Sequence, residues 1–248
     1  MTKRDLYHEL ESLASPKIAY LLGYLWGDGN INKQFNTTNG CGHSYRVALC
    51  VQKEDGLKLL PLFEGMDFVR VREPNPRDNR KQAMTFTIHC KEIYEWLAEH
   101  GYAAKSWESA EKILEKIPET LRPYWFRGLI DADGHVCFRL QTLSKKLGKA
   151  WMTAGISIYS GIDQDWGYLA RLCDKLRIKH RVETRTRPQT DGGVHRSSEF
   201  CMTKRPDVIA FGDYIWKDRE TDGIGLERKW RKFQGIKEYD RQSRNRLF

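Results

Sequence analysis

The stretch Phe126-Arg127-Gly128-Leu129-Ile130-Asp131-Ala132-Asp133-Gly134 decides the fold, because a second version of it, Leu21-Leu22-Gly23-Tyr24-Leu25-Trp26-Gly27-Asp28-Gly29, stands 105 residues earlier in the chain. Similarity at a fixed offset signals a repeat architecture, and it governs every later assignment. Both copies carry G-x-x-x-(G/A)-D-G. Each reads as the end of a helix: Ile18, Leu21, Leu22 and Leu25 form an apolar stripe, and Gly29 or Gly134 follows where a left-handed C-cap glycine is expected.

Outward from the motifs, the two halves continue in parallel. Val47, Leu49 and Val51 alternate with Arg46, Ala48 and Cys50, the period of a strand with one buried face. Val69 and Val71 alternate with Arg70 and Arg72; Pro74 to Asn79 then breaks the strand into a basic hairpin tip around Arg77, and Met84, Phe86 and Ile88 resume the apolar side. In the second half Arg181, Glu183, Arg185 and Arg187 share one parity and Val182, Thr184 and Thr186 the other, with Asp191-Gly192-Gly193 as the turn. Trp166, Leu169, Leu172, Cys173 and Leu176 keep helical spacing, as do Leu226, Trp230 and Phe233. A helix over Leu57 to Phe63 should be shortened or kinked by Pro61. The predicted class is α+β, two αββαββα units with antiparallel sheets: residues 1–117, residues 118–235, and a basic tail over 236–248.

Composition narrows the function. The chain has 248 residues, 42 Lys+Arg against 33 Asp+Glu and a formal net charge of +9. That charge favours a polyanionic partner. With 40% hydrophobic residues and a mean hydropathy of −0.66, the sequence describes a globular rather than a disordered chain. The longest near-apolar run, Ile18 to Gly27, is half the roughly 20 residues that a spanning helix needs, so no membrane partner is expected. The start lacks the apolar core of a signal peptide, and the six cysteines are scattered, so a reducing, cytoplasm-like interior is expected: a bacterium, a phage-infected cell or an organelle. Cys41, His43 and Cys50 lack the second ligand pair of a zinc site.

The motif chemistry is specific. Asp28 and Asp133 fall in the last turn of their helices, where the partial negative charge of the helix end disfavours a carboxylate, so something positive should compensate. Gly23 and Gly27, and likewise Gly128 and Ala132, make smooth patches that let two helix backbones approach closely. If the helices pack in parallel on those patches, Asp28 and Asp133 end up side by side and require divalent cations between them. Carboxylate and carbonyl oxygens suit Mg²⁺, with Mn²⁺ as a substitute.

On these residues the sequence resembles the LAGLIDADG homing endonucleases of the single-chain, two-motif kind: the second copy matches the eponymous nine letters at seven positions and the first at four. The resemblance spans about Pro16 to Phe233. It implies two motif helices at the domain interface and, from each unit, a curved antiparallel sheet that saddles the DNA major groove. It further implies a monomer that cuts both strands of double-stranded DNA at a long target site, leaving short 3′ overhangs. By position, the metal ligands are Asp28 and Asp133 with the carbonyls of Gly27 and Ala132. Asp131 is not one of them; with Trp26 in its place in the first copy, it reads as an interface or cap residue. Gln52 matches the strand-end Gln that positions water, with Lys53 as the alternative register. Lys105 and Lys229 match the basic residue before the final helix of each unit, and Ser160 stands where a second Gln would.

Arg46, Arg70, Arg72, Arg77, Arg139, Arg181, Arg185 and Arg187 are the candidate DNA contacts, with Lys145 to Lys149 as a phosphate-binding loop. Their plain structural alternative is a solvated strand face that discourages aggregation. The segment from Leu226 onward, with eight basic against three acidic residues, either grips flanking phosphates or is a disordered tail. Three other functions compete: a maturase acting on host intron RNA, a non-cleaving DNA-binding regulator, and an intein-borne enzyme. Both acids are intact, which weighs against the first two. The absence of an initiating Cys or Ser and of a terminal His-Asn weighs against the third, leaving an intron-encoded or free-standing protein.

Overall fold

The computed structural model describes residues 2–35, 42–63, 68–72, 82–142, 150–188 and 193–245. The chain forms two compact units, Met1–Ala132 and Asp133–Phe248.

The first unit opens with α1 (Lys3–Ser12), whose N-terminus is closed by a capping box: the Asp5 amide donates to Thr2 Oγ1 at 3.2 Å and the Thr2 amide to Asp5 Oδ2 at 2.7 Å. Helix α2 (Pro16–Asp28) starts with proline at its first position, where no intrahelical N–H is needed, and every residue from Ile18 to Trp26 is buried. A helix apolar on all sides belongs inside the protein. There follow β1 (Gly29–Phe35), β2 (His43–Gln52), α3 (Lys53–Leu59), β3 (Phe68–Arg72), β4 (Ala83–Ile88), α4 (Lys91–Glu99), α5 (Glu111–Lys116) and α6 (Arg122–Asp133). The four strands make an antiparallel sheet in the order β1-β2-β4-β3. Val47, Leu49, Val51, Met84, Phe86 and Ile88 line its buried face.

The second unit contains β5 (Gly134–Thr142), β6 (Ala150–Ser160), α7 (Gly167–Lys175), β7 (Arg181–Pro188), β8 (Val194–Met202), α8 (Arg205–Ile215), α9 (Arg219–Asp222) and α10 (Glu227–Asn245). Its sheet, β5-β6-β8-β7, repeats the order of the first. Val136, Ala154, Ile156, Ile158, Phe200 and Met202 fill its buried face, and Leu169, Cys173 and Phe211 are buried on α7 and α8. The αββαββα pattern therefore appears twice.

Several expectations are revised. Gly29 is not a left-handed cap: it is extended (φ −73°, ψ 155°) and leads directly into β1, and Gly134 likewise opens β5. Glycine at 29 is required by space, since a Cβ would collide with the Leu25 carbonyl and side chain. Val71 and Val182, placed on apolar parities, are 42% and 45% exposed because β3 and β7 are edge strands whose apolar sides run past the core. The Pro61 expectation holds instead: α3 stops at Leu59, and Pro61 lies in a 3₁₀ turn, Leu60–Phe63. Residues 236–245 are no separate tail: they continue α10, with Ile236 fully buried and Asp240 held by Arg205 at 2.8 Å. The sequence repeat begins its second copy before α6, whereas the compact units divide after Ala132, because α6 packs on α2. Among the described residues no helix is long and apolar enough to cross a membrane.

Candidate active site

The site is built on α2 and α6. A Cβ on Gly23 would fall on the carbonyl oxygen of Trp125, and one on Gly128 on that of Tyr20. Tyr20 and Trp125 are themselves counterparts in the repeat, so the contact is reciprocal: each motif's first glycine receives the other helix's backbone. The close approach is seen at Gly23 and Gly128; Gly27 and Ala132, further along the same helices, are half-buried.

Around this crossing the interface is aromatic and buried. Trp26 packs on Trp125 (ring centroids 6.1 Å) and edge-on to Tyr102 (5.1 Å), whose hydroxyl donates to the Leu22 carbonyl at 2.9 Å. Fully buried large side chains of this kind contribute about 1.5–3 kcal/mol each. Two charged residues share the interface without exposure, Arg127 and Asp131. Tyr20 donates its hydroxyl to Asp131 Oδ2 at 3.0 Å, and the Arg127 guanidinium lies 4.7 Å from the Tyr124 ring centroid. Burial, then the adjacent Asp131 charge, pushes the Tyr20 phenol well above its ordinary range. Asp131 is thus an interface residue, as is Trp26.

Asp28 and Asp133 are the last residues of α2 and α6, and both are exposed. The positive charge expected at the first helix end is Lys105, which follows α4: its ammonium donates to the carbonyls of Leu25 (3.2 Å), Trp26 (2.8 Å) and Gly27. A cation on the last carbonyls of a helix is the favourable placement for the macrodipole. The Gly27 carbonyl expected as a metal donor is thereby already engaged by Lys105. Lys229, at the start of α10, is 3% exposed.

Carboxylate and main-chain oxygens are the donor types that a hard divalent ion takes. Among the described residues no three His, Cys, Asp or Glu side chains cluster. One or two carboxylates with main-chain oxygens are what Mg²⁺ takes when a phosphate completes its shell.

The sheets carry polar faces opposite their cores. On the first, Asn30, Asn32, Arg46, Cys50, Gln52 and Thr85 share one register parity and are exposed or half-exposed. Gln52 ends β2 on this face, whereas Lys53 begins α3 with its amide bonded to the Gln82 carbonyl at 2.9 Å. Arg70 and Arg72 pair in register with Thr85 and Ala83. On the second sheet Arg139 is exposed, as are Arg181, Arg185 and Arg187. Two of them are tied to acids: Arg181 to Glu183 (3.0 Å), and Arg185 to Glu183 (3.2 Å) and Glu199 (3.1 Å). This face is therefore a patterned ionic lattice rather than a uniformly basic one. Ser160 ends β6 and accepts from the Ile162 amide at 3.3 Å. Arg77 and the loop 145–149 lie outside the described residues.

Sequence reasoning passed over Asn30, Asn32, Thr85 and His135. The period-two alternation of β1, β4 and β5 could have found them. His135, on β5, has its proton affinity lowered by partial burial, then by Lys232, Lys229, Arg139 and Arg228.

This is a twofold-repeated α+β protein whose motif helices cross on paired glycines and end in aspartates, each followed in the chain by the strands of a four-stranded antiparallel sheet. The chain has the LAGLIDADG meganuclease fold. It is similar to I-AabMI bound to uncleaved DNA (12% identity, TM-score 0.57, covering 94% of this chain and 92% of that one). It is also similar to I-SmaMI bound to uncleavable DNA (15%, 0.56, 92% of each chain) and to I-CpaMI bound to uncleaved DNA (15%, 0.55, 94% of each). At the level of sequence, no family model and no curated protein matches.

Proposed function

We propose that this chain is a site-specific homing endonuclease, intron-encoded or free-standing, that acts as a monomer on double-stranded DNA and leaves short 3′ overhangs. The observation that carries this reading is the reciprocal glycine contact between two helices that each end in Asp-Gly. Packing alone does not account for a pair of exposed carboxylates at helix ends, where the dipole disfavours them. The similarity in fold to meganucleases solved on DNA supports the same reading.

In this reading Asp28 and Asp133, with the carbonyl of Ala132 and, once the Lys105 ammonium gives way, that of Gly27, hold divalent cations such as Mg²⁺ or Mn²⁺. Such ions, when bound, activate water and neutralise charge on the leaving 3′ oxygen. Lys105 and Lys229 offset charge developing on the phosphates, and Gln52 orients water from the first sheet. The polar sheet faces read base edges in the major groove: Arg46, Arg70, Arg72, Arg181, Arg185 and Arg187 toward guanine or phosphate, Asn30 and Asn32 toward adenine. Arg139 contacts backbone.

The test is cleavage of a randomised duplex library with mapping of both broken ends, in Mg²⁺ and in EDTA, using wild type and Asp133→Asn. Discrete Mg²⁺-dependent breaks with 3′ overhangs, absent in the variant, are expected. Tight DNA binding with no breaks would make the protein a regulator instead, and tight binding to intron RNA a maturase.

A further inference from the structure

The side of the first sheet that holds Val47 in the core continues beyond it. Ile31 pairs with Val47, Lys33 with Tyr45 and Phe35 with His43, so all of them share one side of the β1–β2 hairpin, opposite Asn30, Asn32 and Arg46. Toward the far end of the hairpin that side is open: Phe35 is 60% exposed, Lys33 and His43 are exposed, and Tyr45 is half-buried. The rings form one line of contacts, Phe35 to His43 (centroids 5.5 Å), His43 to Tyr45 (6.3 Å) and Tyr45 to Tyr94 of α4 (5.3 Å), and the Lys33 ammonium lies 5.5 Å from the Tyr45 centroid. In the second repeat the residue at the same offset as Lys33 is Phe138, and there α10 covers the sheet, Gly235 making room for the ring.

Charge and ring chemistry select what the open strip takes. Residues 29–52 contain no Asp or Glu, and among the described residues Lys33 has no carboxylate partner. A surface with cations and no acids suits a polyanion. Exposed rings beside a free ammonium suit an unpaired strand in particular, each ring stacking on a base while the cation meets phosphate; a duplex keeps its bases inside and offers the rings nothing. We propose that Phe35, His43, Tyr45 and Lys33 form a binding strip for single-stranded DNA. β1 is the edge of its sheet, so a strand that separates from a duplex held on the Asn30, Asn32 and Arg46 side passes round that edge onto the strip. This continuity makes DNA the occupant. The inference rests on the nuclease reading and adds a surface that reading does not use.

The test titrates the full chain into a fluorescein-labelled oligothymidine of about 15 nucleotides, read by anisotropy, with and without a saturating unlabelled random-sequence duplex. Phosphate contacts are indifferent to sequence, so that duplex occupies the opposite side without containing the target. The oligothymidine should bind in its presence. Phe35→Leu, which keeps apolar bulk but removes the ring, and Lys33→Ala should each weaken that binding about fivefold or more, and Phe35→Tyr should match wild type. The duplex should bind all three variants as it binds wild type. If the duplex displaces the oligothymidine, if Phe35→Leu binds it as tightly as wild type, or if oligouridine binds and oligothymidine does not, the strip is overturned and the nuclease reading stands. If the oligothymidine binds and the duplex does not, the nuclease reading falls instead; if neither binds, both fall.

Discussion

Gly23 of α2 lies against the main-chain carbonyl of Trp125 on α6, and the repeat partner of that contact, Gly128 against Tyr20, lies beside it. A side chain at either glycine meets backbone, which cannot rotate away. Gly23→Ala and Gly128→Ala should therefore each destabilise the protein by about 3 kcal/mol or more, or prevent folding. Gly161→Ala, with nothing within 4 Å, should stay within about 0.5 kcal/mol of wild type. Urea unfolding of the three variants compares them directly.

Asp28→Asn and Asp133→Asn keep the shape of the helix ends while removing the charge that would hold a cation. Each should bind duplex DNA as wild type does and lose double-strand cleavage. Normal cutting by either variant would remove that residue from the metal site, as read from supercoiled plasmid turnover alongside a gel-shift.

Lys105 links the end of α2 to the segment after α4. Lys105→Met leaves the carbonyls of Leu25, Trp26 and Gly27 without their ammonium, at a cost of up to about 2 kcal/mol in this partly buried setting. Thermal unfolding should shift down by a few degrees, and cleavage should fall further than that loss of stability explains when assayed well below the transition.

The Tyr20 phenol is buried against Asp131, so it keeps its proton in the folded state at a pH where the unfolded chain, near the ordinary value of 10.0, gives it up. The unfolded state then binds fewer protons than the folded one, and stability falls as pH rises through that range. Between about pH 9 and 11 wild type should lose more stability than Tyr20→Phe does, measured by denaturant titration at each pH. Parallel curves would place the alkaline loss elsewhere.

Arg185 is fixed by Glu183 and Glu199 into one orientation on the second sheet. If it reads a base, Arg185→Ala should weaken recognition by about 1 to 3 kcal/mol and relax preference at one position. Glu199→Gln leaves Glu183 as the one charged partner, loosens the guanidinium and should broaden preference with little loss of affinity. Unchanged site preference in Arg185→Ala would make the arginine a solvated strand residue.

Much of this was legible in the chain itself. The repeat of two G-x-x-x-(G/A)-D-G segments gave the number of units, the strand and helix periods gave αββαββα, and a +9 charge pointed to a polyanion. Those features are local or compositional, so they survive without a fold. Tertiary structure put Gly23 and Gly128 against facing backbone, a contact between residues about a hundred positions apart that no local pattern contains. It set Gly29 in extended conformation, since what matters there is the room beside Leu25 rather than a turn. It joined residues 236–245 to α10 through Ile236 and the Arg205–Asp240 pair, contacts too distant in sequence for any periodicity to reveal. It also bound Arg185 to Glu199 across β7 and β8. Sequence names the charges; only packing and strand register determine which of them meet.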